Sequence, residues 1–265
     1  MKTALAIVAH PDDIEFNMAG TLLLLRRAGW ETHCMTIASG SLGSVEYSAA
    51  ETRSVRRKES QRAAAILGAQ WHPSLVDDLE IFYDATLIKR VCAVVREVRP
   101  EIVLTHPAED YMEDHVNAGR VAVTAAFARG MPNYITAPRR AAHGTDVTVY
   151  HCVPHGLRDP LRRPMVPEIF VNISSVIETK GKALAAHESQ SKWLEASQGM
   201  NAFVRQMEEE SRALGKLSRK CRYAEGWWRH SHLGFSAVEV DPLREALGRD
   251  YLLNPAYGKV LKRGA

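Results

Sequence analysis

The sequence predicts an α/β chain with a Rossmann-like, doubly wound, mostly parallel sheet and helices on both faces. Three observations carry this. Short apolar runs such as Thr3 to Ala9 (TALAIVA) and Glu101 to Thr105 (EIVLT) suit strands buried on both faces. They alternate with longer segments of helical periodicity, which implies right-handed βαβ crossovers. Both runs end in a His-Pro step, His10-Pro11 and His106-Pro107, where proline stops a sheet ladder.

In chain order, Thr3 to Ala9 is the first strand and Asn17 to Ala28 a helix stopped by Gly29. Glu31 to Ala38 is a second strand that empties into the small-residue loop Ser39 to Ser44, beside the first strand's end if the two are neighbours. Ala50 to Leu67 is a long helix with Val55, Ala63, Ile66 and Leu67 available for a core face and Gly68 as its stop; Glu59 has an arginine one turn away. Gln70 to Val76 reads as a short strand and Leu87 to Val98 as an amphipathic helix halted by Pro100. After the strand Glu101 to Thr105, helical pattern resumes at Asp114. The segment Pro132 to His143 has the length of a lid or an interface loop. Val147 to Val153 and Glu168 to Ile173 are further strands, and Ser174 or Ser175 can cap a helix carrying Lys180, Lys182 and His187. Ser189 to Leu217 is helical and polar-rich. Tyr223, Trp227, Trp228, His230 and His232 then cluster, to pack the tail over the sheet or to form a subunit contact or substrate wall.

Composition narrows the function. With 265 residues, 46% apolar and 25% charged, the chain can bury one sizeable core. A net charge of +3 without a long basic run interleaved with aromatics gives no nucleic-acid signature. No apolar run approaches the ~20 residues of a membrane span, and the chain enters its first strand without a leader pattern. Cys34, Cys92, Cys152 and Cys221 are scattered, with no CxxC pair, so reduced thiols and a cytoplasmic location are expected.

Chemistry concentrates at two strand ends. Ala9-His10-Pro11-Asp12-Asp13 presents an imidazole and two carboxylates in a fixed turn, enough to hold a divalent metal and leave one carboxylate free to move protons. The bland reading is a turn hydrogen bond from His10, a helix cap from Asp12 and a solvated Asp13. The loop Thr105 to His115 (THPAEDYMEDH) brings His106, Glu109, Asp110, Tyr111, Glu113, Asp114 and His115 to the same sheet edge. His115 falls in the first helical turn as a candidate ligand, and Asp114 near the N-cap as a cap or an orienting partner. His151, inside a strand, reads as packed; His155, at that strand's end, reads as an auxiliary acid or substrate contact.

The AHPDD turn, the RRKESQRAAAILGA helix, the DYMEDH block and the AHESQ segment near Ala186 occur in this order over roughly residues 1 to 190. In these pieces the chain resembles the LmbE-like, or PIG-L-type, N-acetylglucosamine deacetylase superfamily. The resemblance implies one such domain over residues 1–265, with a core of about 1–190 and a C-terminal helical and aromatic extension of about 190–265. It implies a zinc-type divalent ion on His10, Asp13 and His115, with Asp12 as general base toward metal-bound water. The activity implied is removal of an N-acetyl or other N-acyl group from an amino sugar or its conjugate. Asp114, Tyr111, Arg56, His155, His187 and His232 are the further candidates for orienting, oxyanion or substrate contacts. The chain departs from the pattern at Met112, where many members carry an oxyanion-stabilising histidine; a thioether gives no such hydrogen bond, which leaves Tyr111, His155, His232 or the metal alone. Two alternatives stand beside this reading. One is a hydratase of a small unsaturated dicarboxylate, with Arg53, Arg56 and Arg57 as carboxylate clamps; the other is a catalytically silent sugar-binding protein. The expected partner is a small amino-sugar or glycoconjugate substrate, not nucleic acid or membrane, and the aromatic tail is compatible with a homo-oligomer.

Overall fold

In the computed structural model, which describes residues 1–198, 203–257 and 259, the first apolar run is strand β1 (Thr3–Val8), buried throughout. Helices α1 (Asp13–Asn17) and α2 (Ala19–Arg27) follow, then β2 (Glu31–Thr36), α3 (Ala49–Leu67), β3 (Gln70–His72), α4 (Ala85–Val98), β4 (Ile102–Thr105), α5 (Glu113–Ala128) and β5 (Thr148–Cys152). The chain continues through β6 (Ile169–Asn172), α6 (Ile177–Ala185), α7 (Glu188–Gln198), α8 (Phe203–Ser218), β7 (Ala224–Arg229), α9 (Pro242–Leu247) and β8 (Tyr251–Leu253). The strands form one sheet in the order β3-β2-β1-β4-β5-β7-β6-β8. The first five in that order are parallel to one another; β7 is antiparallel to both β5 and β6, and β8 is antiparallel to β6.

Alternation along β1 sorts the core. Ala4, Ala6 and Val8 pack under α2 and α6 with Leu22, Leu25 and Ala183, whereas Leu5, Ile7 and Ala9 pack under α4 and α5 with Val91, Val95 and Val121. Each fully buried leucine or isoleucine there contributes about 1.5–3 kcal/mol, which fixes the strand whose end carries His10. After β3 the chain recrosses β1 to lay β4 on its other side, so a topological switch point opens between the carboxyl ends of β1 and β4.

Several elements differ from expectation. The helix expected from Asn17 to Ala28 is α2, and ahead of it, across a break at Met18 (φ −144°), the short α1 begins at Asp13, the last residue of the AHPDD turn. Gly29 does stop α2, with φ +86°. Helix α3 opens with a Ser48–Glu51 capping box and ends at Gly68 (φ +65°). Its buried stripe, however, is Thr52, Arg56, Glu59, Ser60, Ala63, Ala64 and Leu67, while Ile66 is exposed: the buried face carries charge toward the site. The expected strand Gln70 to Val76 shrinks to β3 and a single bridge from Val76 to Ala38. Ser174 does not cap α6; its hydroxyl bonds Asn172 Oδ1 at 2.8 Å, and His187 lies beyond the end of α6. The loop from Pro132 to His143 is no lid. Arg96 holds its flanks by donating to the carbonyls of Arg129, Met131 and Arg140, at the end of the sheet opposite the His-Pro turns. The polar-rich stretch after Ser189 is two helices, α7 and α8, with 199–202 outside the described residues.

The largest departure is β7. Residues read as an aromatic tail are a strand between β5 and β6, with Trp227 fully buried. Glu225 on this strand accepts from Gly20 N–H (2.8 Å), Thr21 N–H (2.7 Å) and Thr21 Oγ1 (2.6 Å) at the start of α2, and meets Lys180 Nζ at 2.5 Å. A buried carboxylate there is compensated both by the helix dipole and by an ammonium. No described helix is long and apolar enough to cross a membrane.

Candidate functional site

His10, Asp12 and Asp13 leave β1 at the switch point, and His106 to His115 leave β4 beside them. Asp12 occupies the N-cap position of α1 in a left-handed conformation (φ +99°), yet its carboxylate makes no cap bond. Instead its Oδ2 lies 3.3 Å from Arg56 Nη2, which also donates to the Pro11 carbonyl. Asp13 turns the other way. Its Oδ2 accepts the His10 N–H at 2.7 Å and lies 3.1 Å from His106 Nε2; its Oδ1 lies 3.4 Å from His115 Nε2.

Both flanking imidazoles are gripped from behind. His10 Nε2 lies 2.9 Å from Asp114 Oδ2, which leaves Nδ1 facing Asp13 at 3.7 Å. His115 Nδ1 lies 3.0 Å from Asp110 Oδ1, which leaves Nε2 facing Asp13. Asp114 thus orients His10 rather than capping α5, and it also accepts the Leu79 N–H at 2.8 Å. One ligand atom each from His10, Asp13 and His115 fall within 4.8 Å of one another. His106, whose ring stacks on His115 at 4.1 Å, packs the third side.

The electrostatics divide the two neighbouring aspartates. Burial pushes the Asp12 carboxyl above its ordinary range, Arg56 opposes that, and Asp13 adds to it. Burial also works against ionising Asp13, but His115 and His106 overcome it and hold the group well below the usual carboxylate range. Burial opposes charge on His115 as well, yet Asp13 and Asp110 raise it to about 10. His10 likewise ends above its ordinary value through Asp114 and Asp13, in spite of burial. The field at this point therefore stabilises positive charge, and a buried proton or a metal cation answers it equally well.

The three atoms face a cavity of about 420 Å³. On the near side it is bounded by Gly40, Leu42 and Gly43, and Asp78 pins that loop by accepting the Gly40 N–H (2.7 Å) and Leu42 N–H (2.9 Å). Only glycine fits at position 40, at φ +78° with Arg56 Nε 2.7 Å from where a Cβ would stand. Phe16, Trp193, Leu194 and Phe203 build an apolar wall.

Of the sequence-predicted residues, His10, Asp12, Asp13, Arg56, Tyr111, His115 and His155 line this cavity, as does Met112. Asp114 stands behind His10. His187 is buried and does not line the cavity, with Nε2 3.3 Å from Glu15 Oε2, and His232 is not among the lining residues. Arg53 pairs with Asp77, and Arg57 lies over the Trp71 ring at 5.3 Å, so the three-arginine clamp does not form; Arg56 alone reaches the cavity. Reading the sequence missed the roles of Asp110 and His106, although both lie in the block singled out. It also missed Glu210, which lies 3.1 Å from His155 and gave no signal on a polar helix.

The family model for GlcNAc-PI de-N-acetylase (PIG-L) matches residues 5–126. The diacetylchitobiose deacetylase of Thermococcus kodakarensis is 32% identical over 198 residues, 72% of this chain and 70% of that one. The 4-oxalmesaconate hydratase of Pseudomonas putida is 29% identical over 191 residues, 69% of this chain and 72% of that one. Among solved structures, the 4-carboxy-2-hydroxymuconate hydratase of Pseudomonas putida KT2440 superposes with a TM-score of 0.73 at 25% identity, over 91% of this chain and 99% of that one.

Proposed function

The chain belongs to the PIG-L family, and from that premise we propose that it is a zinc-type, metal-dependent N-deacetylase that removes an acetyl or similar acyl group from the nitrogen of an amino sugar or amino-sugar conjugate. The observation that carries the reading is the divided aspartate pair. Asp13 reaches between imidazoles, 3.1 Å from His106 and 3.4 Å from His115, while Asp12, on the same cavity, turns to Arg56 at 3.3 Å.

The donor set fits a divalent ion. Two imidazole nitrogens and one carboxylate converge, and each histidine is oriented from behind by an aspartate, Asp114 or Asp110. An ion held by His10, Asp13 and His115 supplies Lewis acidity and lowers the pKa of water at the site. Asp12 accepts the proton of the attacking water and returns it to the leaving amine. Burial pushes this carboxyl upward, the direction that suits a group that must take up a proton and pass it on. Arg56, fixed by the Pro11 carbonyl, keeps the Asp12 carboxylate aimed along one edge of the cavity. Four free thiols, three of them buried, fit the cytoplasm as the place of action.

The hydratase relatives keep a second reading in view, hydration of a small unsaturated dicarboxylate at the same centre. The arrangement of arginines weighs against the clamp that reading expects: of Arg53, Arg56 and Arg57, only Arg56 lines the cavity.

Acetate release from a panel of N-acetylhexosamines and chitobiose derivatives, run beside loss of enoate absorbance, separates the two. Metal content of the wild type, His10→Ala and His115→Ala tests the centre. One divalent ion per chain, lost in both variants, is expected; an ion that survives both substitutions overturns the assignment. Bound metal with no turnover of either substrate class supports the silent sugar-binding reading instead.

A further inference from the structure

Position 112 places a methionine on the cavity wall, and a thioether cannot stabilise the charge that develops when an amide carbonyl is attacked. Two basic side chains line this cavity besides the metal-facing histidines, Arg56 and His155. Arg56 stands on the Asp12 side and donates there through Nη2. His155 stands on the other, in the loop after β5. Its ring meets Phe16 edge-on at 4.8 Å and lies 6.2 Å from the ring of Tyr111, which itself meets the His115 ring at 5.6 Å.

His155 is held as a functional imidazole is held. Glu210 of α8 places Oε1 3.1 Å from His155 Nδ1 and accepts the Gly156 N–H on Oε2 at 3.2 Å, so one carboxylate fixes both the ring and the turn that carries it. Gly156, at φ +79°, allows that turn. Its other nitrogen, Nε2, is paired with the Gln206 side-chain amide nitrogen at 3.3 Å, a contact that a substrate oxygen would have to displace.

We infer that His155 is the hydrogen-bond donor to the oxyanion of the tetrahedral intermediate in the deacetylation proposed above, and that Glu210 is its positioning residue. The inference rests on that reading of the site. His155 donates through Nε2–H and keeps its proton; the negative charge it stabilises collapses to expel the amine, which takes its proton from Asp12. Tyr111 is the weaker candidate because it is half-exposed and neutral, and because burial and the nearby Asp13 and Asp110 raise its pKa. The groups facing His155 favour its charged form on balance. Burial opposes the charge, Glu210 of α8 and Asp110 support it, His115 of α5 opposes it, and Phe16, Tyr111 and Gln206 are neutral.

His155→Gln is expected to lower kcat about 10²-fold with KM within about threefold, the size found when one oxyanion donor is removed. It should weaken binding of a glucosamine phosphonamidate, a tetrahedral anion, at least tenfold more than binding of neutral N-acetylglucosamine. Glu210→Gln, which leaves the ring in place, should lower kcat about tenfold and move the alkaline limb of its pH profile to lower pH, because the imidazolium loses its partner. Circular dichroism and metal content equal to wild type show that each variant has folded; if His155→Gln fails this check, Glu210→Gln decides. A kcat within about threefold of wild type, equal losses for the two ligands, or an unmoved pH profile in Glu210→Gln overturns the inference. Wild type that releases no acetate from any panel member overturns the proposed function itself, whereas an active wild type with an unaffected His155→Gln overturns only this one.

Discussion

Replacing Asp110 by asparagine separates the charge behind His115 from its geometry. Asp110 Oδ1 receives both bonds that matter, from the His115 ring at 3.0 Å and from the Met112 N–H at 3.1 Å, while Oδ2 is buried without a partner. An asparagine carbonyl in the Oδ1 position keeps both bonds, and its NH₂ takes the unpartnered place, so the turn and the ring stay where they are. What is lost is charge. A charge-assisted hydrogen bond is roughly twice as strong as a neutral one, and loss of such a partner behind a ligating histidine lowers metal affinity by about 10–100-fold. That corresponds to roughly 1.4–2.7 kcal/mol. Asp110→Ala removes bond and charge together and should fall at the upper end or beyond. Competition against a fluorescent zinc chelator, with thermal melts to confirm folding, measures both variants. An Asp110→Asn affinity within about threefold of wild type would refute the view that this carboxylate tunes the centre.

Two other predictions concern stability. Glu225→Gln strands the buried Lys180 ammonium and should cost about 3–5 kcal/mol, a large share of a typical total of about 5–15 kcal/mol. Lys180→Met should cost less, since Glu225 keeps its three donors from α2; equal losses in urea unfolding would show that the start of α2 contributes nothing. Burial, then His33, lowers His72 from its ordinary 6.5 to about 4, with His33 Nδ1 2.9 Å from its Nε2. The folded protein therefore binds fewer protons than the unfolded chain between these values. This contribution is present above about pH 6.5 and lost as pH falls toward about 4. Allowing for partial exposure, it amounts to roughly 1–2 kcal/mol. His72→Gln should flatten the stability profile over that window, and an unchanged slope counts against the assignment.

The parts of the site that were legible in the sequence are those fixed by local chemistry. Proline after His10 and after His106 ends each strand where a buried run stops, so AHPDD and THPAEDYMEDH announce themselves at strand ends. What stayed hidden depends on partners far along the chain. Ala224 to Arg229 reads as polar-aromatic because Glu225 looks like a surface residue until Lys180 and the start of α2 are in place around it. Arg56 and Glu59 hide the true inner face of α3 for the same reason: Glu59 is buried against Ser189, 130 positions away, which bonds it through N–H at 2.8 Å and Oγ at 2.6 Å. Glu210 sits in a run of three glutamates, and only the return of α8 over the β5 loop distinguishes it from its neighbours.

The same distinction explains how two adjacent aspartates come to differ. Asp12 and Asp13 are nearly equally buried and share the same neighbours in sequence, so nothing in their composition assigns one to a metal and the other to a proton. The backbone does. At φ +99° Asp12 is in a conformation that costs about 1–3 kcal/mol for a residue with a Cβ. That strain sends the two side chains apart, Asp12 toward Arg56 and Asp13 toward three imidazoles. The restraints that keep it are on either side: Arg56 holds the Pro11 carbonyl, and the Asp13 carboxylate holds the His10 N–H at 2.7 Å. The strained residue and the buried arginine are therefore one device, and the proposed chemistry depends on it as much as on the ligands.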